Sequence, residues 1–113
     1  MKFLLVIVFV AWMASTAIAV ERPYTTVTVR DLAITSHTHI CVSGLVTAKH
    51  READGDLHIR LEEAGKFVIV EEIPRLSPTG PRPIVGKRAT ACGISRFDKK
   101  HGWAEIHPVE MWR

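Results

Sequence analysis

HICVSGLVTAKH (39–50) is the stretch whose reading decides the fold. Its side chains alternate: Ile40, Val42, Val46 and Ala48 share one face, with Gly44 between them. The other face carries His39, Ser43, Thr47 and Lys49, and also Cys41 and Leu45. A period of two is the pattern of a half-buried β-strand. Gly44 in mid-strand predicts a bend or bulge, because the missing side chain relieves crowding where a strand coils sharply.

The same period continues on both sides. READG (51–55) is turn chemistry, and DLHIRLEE (56–63) puts Leu57, Ile59 and Leu61 inward with Asp56, His58, Arg60 and Glu62 outward. Ala64-Gly65 makes a tight turn into a third strand, KFVIVEEI (66–73). PRLSPTGPRP (74–83) has four prolines and one glycine, which exclude helix and central strand and leave a loop. β character resumes over GKRATACGISRFD (86–98), Lys99–Gly102 turns the chain, and WAEIHPV (103–109) closes it. In that last strand Ala104, Ile106 and Val109 read as core, Trp103, Glu105 and His107 as the polar face, and Pro108 as the strand's end. Before residue 39, Val20–Thr25 is a lead-in, and 25–34 is β-rich only at its start.

A meander of three strands, a long crossing loop and a final hairpin, with a long glycine-bent first strand, describe a five-stranded Greek-key barrel of the OB type. The expected fold is therefore all-β, with the proline loop in place of the usual helix between strands three and four. A sandwich fragment is the alternative, and it would leave strand edges exposed. The apolar run 3–13 followed by Ala17-Ile18-Ala19 predicts a signal peptide over 1–19, cleaved to leave a single domain over 20–113. An uncleaved anchor is the rival reading, but the run is short for a span of about 20 residues. The chain is thus expected to be periplasmic or secreted, without stable membrane insertion after cleavage. In that compartment two cysteines imply one disulfide, Cys41–Cys92, against the alternative of two buried thiols. The first and fourth strands of an OB barrel pair, which agrees with that bridge. Fifteen Lys and Arg against twelve Asp and Glu give a net charge of +3, and the signs are interleaved. This disfavours nucleic acid, whose binders carry a clustered basic face.

The run 39–109 resembles small OB-fold domains exported by bacteria. With periplasmic bacterial OB-fold proteins it shares a leader and a V-x-G-x-V first strand (Val42, Gly44, Val46). Its third strand reads Gly65-Lys66-Phe67-Val68-Ile69-Val70-Glu71, and the connecting helix of those proteins is absent. A closer resemblance is to bacterial domains of unknown function that carry DGD-x-H together with HGW-x-EIHP. The resemblance implies a fold more than an activity.

OB barrels bind ligands around the turn after strand one and the turn between strands four and five. Here these are Glu52–Asp56 and Asp98–Gly102, expected to share one end of the barrel. The predicted ligand rim is Asp56, His58, His101, Trp103, Glu105 and His107, with Asp54 nearby. Three readings compete. Asp56, His58, Glu105 and His107 offer imidazole and carboxylate ligands to a divalent metal such as zinc. Asp54-Gly55-Asp56 is similar to the DGD-T turn of staphylococcal-nuclease-like enzymes, with Leu57 in place of Thr; a hydrolase would use a carboxylate or His as base, and Arg60 or Arg88 against phosphate. The third reading is structural: D-G is an ordinary hairpin turn, and outward His and Glu are solvated. Trp112, placed beyond the last strand, would cover the barrel bottom. The expectation is a binding module for a small molecule, oligosaccharide or protein rather than an enzyme, with a metal-dependent, nuclease-like hydrolase as the alternative.

Overall fold

The predicted first strand is β2 (His39–Arg51), thirteen residues long. Ile40, Val42, Gly44 and Val46 are buried and Ser43 and Leu45 exposed, as the alternation requires. Ala48 departs from it. The pairing with the next strand slips between Val46 and Ala48, so Thr47 is an extra residue in a bulge. Ala48 then sits opposite outward-facing Arg60, and it is exposed.

In this computed structural model residues 23–32 and 37–113 are described; the expected leader, 1–19, lies outside the described residues. The other strands are β1 (Thr25–Thr26), β3 (Leu57–Glu63), β4 (Lys66–Glu72), β5 (Arg88–Asp98) and β6 (Trp103–Trp112). The sheet order is β1-β2-β3-β4-β6-β5, and β2 also pairs with β5, so β2 to β6 close into a five-stranded barrel. β2 makes this closure possible by pairing with β5 from His39 to Leu45 and with β3 from Leu45 to Arg51. The β4–β6 pairing is parallel and short, Ile69↔Glu105 and Val70↔Ile106. The two-residue β1, at the start of the β-rich stretch 25–34, runs parallel to β2 beside Ile40 and Cys41.

Val42, Val46, Ile59, Leu61, Val68, Val70, Ile106 and Val109 have no exposed surface and form the core. One end is plugged by the turn after β1, which places Val29 and Leu32 in the same cluster. The other end is closed by the proline loop and Trp112. Trp112 belongs to β6 rather than lying beyond it, and Pro108 does not end the strand. On β6 the pairing with β5 jumps from Ile106 to Val109 and then to Met111, opposite Ser95, Gly93 and Cys92. Bulged there, the strand has no need of a ladder N–H at Pro108. Ile106, Val109 and Trp112 all turn inward at a spacing of three, which a strict period of two cannot represent.

The proline loop contains one 3₁₀ turn, Pro74–Leu76, and otherwise no helix, and Thr79 bridges to Met111. Arg82 from this loop forms two hydrogen bonds, of 2.6 and 2.8 Å, to the buried carboxylate of Glu72. Cys41 and Cys92 are directly paired residues of β2 and β5 and are joined by the expected disulfide, with Cα atoms 4.1 Å apart.

Replacing both cysteines by alanine is expected to lower unfolding stability by about 4 kcal/mol in the loop-entropy account, read from urea denaturation. Gly93→Ala should cost about 1–3 kcal/mol by overpacking, since its new methyl would clash with Pro108 O and meet Ile106 Cγ2 at 2.7 Å.

Candidate functional site

The outer wall of the barrel between β3 and β5 is a grid set by register. His58 lies opposite Glu71, Arg60 opposite Ile69 and Glu62 opposite Phe67. Ile69 lies beside Glu105, which puts Phe67 beside Trp103 and Glu71 beside His107. Arg96 and Asp98 complete the rows opposite Glu105 and Trp103. β4 thus stands between the two motifs, DGDLH on the β3 side and HGWAEIH on β6, and Glu71 joins them. Its Oε1 lies 3.5 Å from His58 Nε2 and its Oε2 3.0 Å from His107 Nε2. His58 Nδ1 in turn lies 3.2 Å from Glu52 Oε1 in the first turn.

That turn is held by its own hydrogen bonds. Glu52 N–H donates to Asp56 O (2.8 Å), Gly55 N–H to Glu52 O (3.0 Å) and Asp56 N–H to Asp54 Oδ1 (2.9 Å). Gly55 has φ +92°, in the left-handed region that a glycine adopts without strain. In the second turn Asp98 Oδ1 accepts from the backbone N–H groups of Lys100 (2.9 Å) and His101 (3.3 Å). Its Oδ2 lies 2.6 Å from His101 Nδ1. The His101 ring stacks on Trp103 at 4.5 Å and 5°, and Trp103 Nε1–H donates to Glu105 Oε1 at 2.8 Å. Glu105 Oε2 is 2.9 Å from an Arg96 guanidinium nitrogen.

The 52–56 and 98–102 turns lead into β3 and β6, which run antiparallel. Both turns line one cavity of about 370 Å³, together with His58, Glu71, Arg96 and Glu105. Of the predicted rim, His58, His101 and Glu105 line this cavity. His107 reaches it through Glu71, Asp56 lies in an adjoining groove beside Ile73 and Pro74, and Trp103 lies on the far side of His101. Glu105, read as an outward polar residue, keeps only 2% of its surface exposed under Arg96 and Trp103.

Four contributors were not singled out from the sequence: Glu52, Glu71, Arg96 and Asp98. For Glu71 a signal existed. In an OB barrel the third strand lies between the second and fifth, so an outward Glu between Val70 and Glu72 must neighbour outward residues of both.

Five carboxylates line the cavity, against Arg96 and two imidazoles. Burial pushes the Glu71 carboxyl above its usual 4.5; His107 and His58 oppose this, and a hydrogen bond with Asp56 and the charge of Glu105 reinforce it. Asp98 is pulled from 3.8 to about 2, first by its hydrogen bond with His101 and then by the backbone amides, against a smaller opposing effect of burial. The Asp98 contact fixes the orientation of the His101 ring through Nδ1. For a metal, the ligand atoms that converge among the described residues are those of Asp98, His101 and Glu105, all within 4.8 Å of one another. Of the four residues expected from the sequence, this group includes Glu105.

Linkage gives opposite signs for the two shifted carboxyls. Glu71, raised when folded, contributes stability that is fully present below pH 4.5 and lost as pH rises through its folded value. Asp98, depressed when folded, contributes stability present above 3.8 and lost as pH falls through about 2. Urea midpoints measured from about pH 2 to about pH 8 should therefore lose the descending slope in Glu71→Gln and part of the acid limb in Asp98→Asn.

No protein-family model and no curated protein matches the chain. Solved structures do. Asparaginyl-tRNA synthetase from Pyrococcus horikoshii aligns with a TM-score of 0.63 at 14% identity, over 77% of this chain and 22% of the synthetase. Telomere capping protein Ten1 from Saccharomyces pombe aligns at 0.56 and 13% identity, over 80% of each chain. RecG bound to a three-way DNA junction aligns at 0.56 and 14% identity, over 76% of this chain and 12% of RecG. The chain thus spans about a fifth of the synthetase's length. At such identities the likeness is one of fold, and it agrees with the OB barrel traced by the strands.

Proposed function

We propose that the chain is an exported OB-fold binding module. A leader over 1–19 is removed, 20–113 form one domain, and the ligand sits in the groove between the 52–56 and 98–102 turns. The observation that carries this reading is the convergence of both turns on one cavity lined by Glu71 and Glu105. Their side chains are only 10% and 2% exposed. Buried carboxylates destabilise a barrel relative to a well-packed apolar pair, which favours a role outside folding for Glu71 and Glu105. A disulfide fits an oxidising compartment, the periplasm or the exterior. Among the described residues no helix is long and apolar enough to cross a membrane.

Charge narrows the ligand. RecG, a neighbour in fold, is bound to a DNA junction in its structure. Here five carboxylates against a single arginine would repel a phosphate backbone. Groups that donate hydrogen bonds suit this cavity: the hydroxyls of a small molecule or oligosaccharide, or the amines of a protein side chain. His58, His101 and Glu105 remain the proposed contacts, with Glu71 added; Asp56 borders the adjoining groove, His107 supports Glu71, and Trp103 backs His101.

The convergence of Asp98, His101 and Glu105 favours a second reading, a metal-dependent hydrolase. Its donor set suits zinc. Arg96, 2.9 Å from Glu105, competes with a cation for that carboxylate, so the binding module is the better fit.

Backbone NMR titration of the purified protein with spermidine, a chito-oligosaccharide, a short oligothymidylate and zinc separates these readings. The amine or the sugar should shift the amides of Asp56, His58, His101 and Glu105, and oligothymidylate should not. Glu71→Gln and His107→Ala should each weaken that binding about tenfold, as loss of a charge-assisted contact does. Zinc uptake lost in His101→Ala, together with hydrolytic turnover, would move the assignment to the second reading. If no probe reaches these amides and His58→Ala/His107→Ala only lowers Tm, the rim is structural.

A further inference from the structure

Trp103 separates two grooves of opposite character. On the His101 side lies the carboxylate-lined cavity. On the other side a groove of about 360 Å³ opens between the 64–65 turn and the 99–102 turn, lined by Arg30, Lys66, Phe67, Phe97 and Trp103. Three aromatic rings and two cations meet there, and no carboxylate lines it. Its volume falls within the range of about 300–1,000 Å³ usual for small-molecule sites.

The aromatic wall is held in place from behind. His101 covers one face of the indole and Glu105 fixes its N–H. Phe67 meets Trp103 edge-on at 6.1 Å, and the Arg60 guanidinium sits 3.9 Å above the Phe67 ring. Rings held this way lose little freedom when a ligand stacks on them. Phe97 is less covered. It pairs with Ala104 on the core-facing side of β5, at the barrel mouth, where the small alanine cannot cover its ring. Among the described residues it is left 41% exposed, an apolar surface open to a ligand in the groove. Gly65 and Gly102, at the two turn tips, have φ +75° and open space where a side chain would project, so both rims present bare backbone.

The geometry points to a second binding site in this groove, for a small planar ring that carries an anionic group. The rings take the flat body by stacking, and Arg30 and Lys66 take the phosphate or carboxylate. The site is independent of the carboxylate-lined cavity, whose charge would reject such a ligand.

Adenosine 5′-monophosphate, adenosine, ribose 5-phosphate and indole-3-acetate are the probes, titrated against the purified protein with amide shifts as readout. Adenosine 5′-monophosphate or indole-3-acetate should bind saturably and shift Gly65, Lys66, Phe97 and Gly102. Preference between these two tells a phosphate ligand from a carboxylate one. Adenosine, without the charge, and ribose 5-phosphate, without the ring, should each bind at least about tenfold more weakly. Arg30→Gln/Lys66→Gln should abolish the charge preference, and Phe97→Ala the ring preference; all three positions are exposed, and an unchanged Tm would show the fold intact. Three results would overturn the site: no saturable binding by either anionic ring, adenosine binding as tightly as its phosphate, or shifts confined to His58, Glu71 and Glu105.

Discussion

Everything in this barrel depends on β2 serving two neighbours in turn. Its first half pairs with β5 and its second with β3, and both pairings meet at Leu45. A strand can change partners in this way only if it bends, and the bend sits beside Gly44. A methyl there would lie 3.0 Å from Glu62 O and 3.2 Å from Leu61 Cβ, so the close approach of β3 needs the missing side chain. The disulfide ties the β5 half three residues before that point, and the Thr47 bulge redirects the β3 half three residues after it. Closure leaves no long open edge, which a small five-stranded sheet would otherwise expose.

Closure also determines where the chemistry lies. With β4 set between β3 and β6, residues far apart in the chain become lateral neighbours on the outer wall, and Glu71 stands between two imidazoles. The wall divides at Trp103, which carries carboxylates on one flank and aromatic rings with cations on the other. Both flanks use backbone turns whose glycines allow positive φ, and both are stiffened by the His101–Trp103–Glu105 contacts. Two grooves with opposite charge preference can thus share one rigid wall.

Much of this was legible in the sequence. The alternation of Leu57, Ile59 and Leu61, the glycine in the first strand, the proline loop and the pairing of Cys41 with Cys92 all follow from local pattern and compartment. So did the two turns as the place to look. Ala48 and Trp112 were misplaced because bulges at Thr47 and along β6 change the phase of the side chains, and a bulge leaves little mark in composition. Glu105 was read as an outward polar residue open to a ligand because alternation says which face a residue occupies, not what covers it; Arg96 and Trp103 do so here.

The sequence by itself determined the strands, their inward faces, the bend and the bridge, because these are set by the period of the chain and by individual residues such as glycine, proline and cysteine. Only the tertiary structure decided which outward side chains meet. Strand order and register carried Glu71 to His58 and His107, and the closed barrel brought the turns before β3 and β6 over one cavity. Such contacts join residues up to some fifty positions apart, and no local periodicity encodes them.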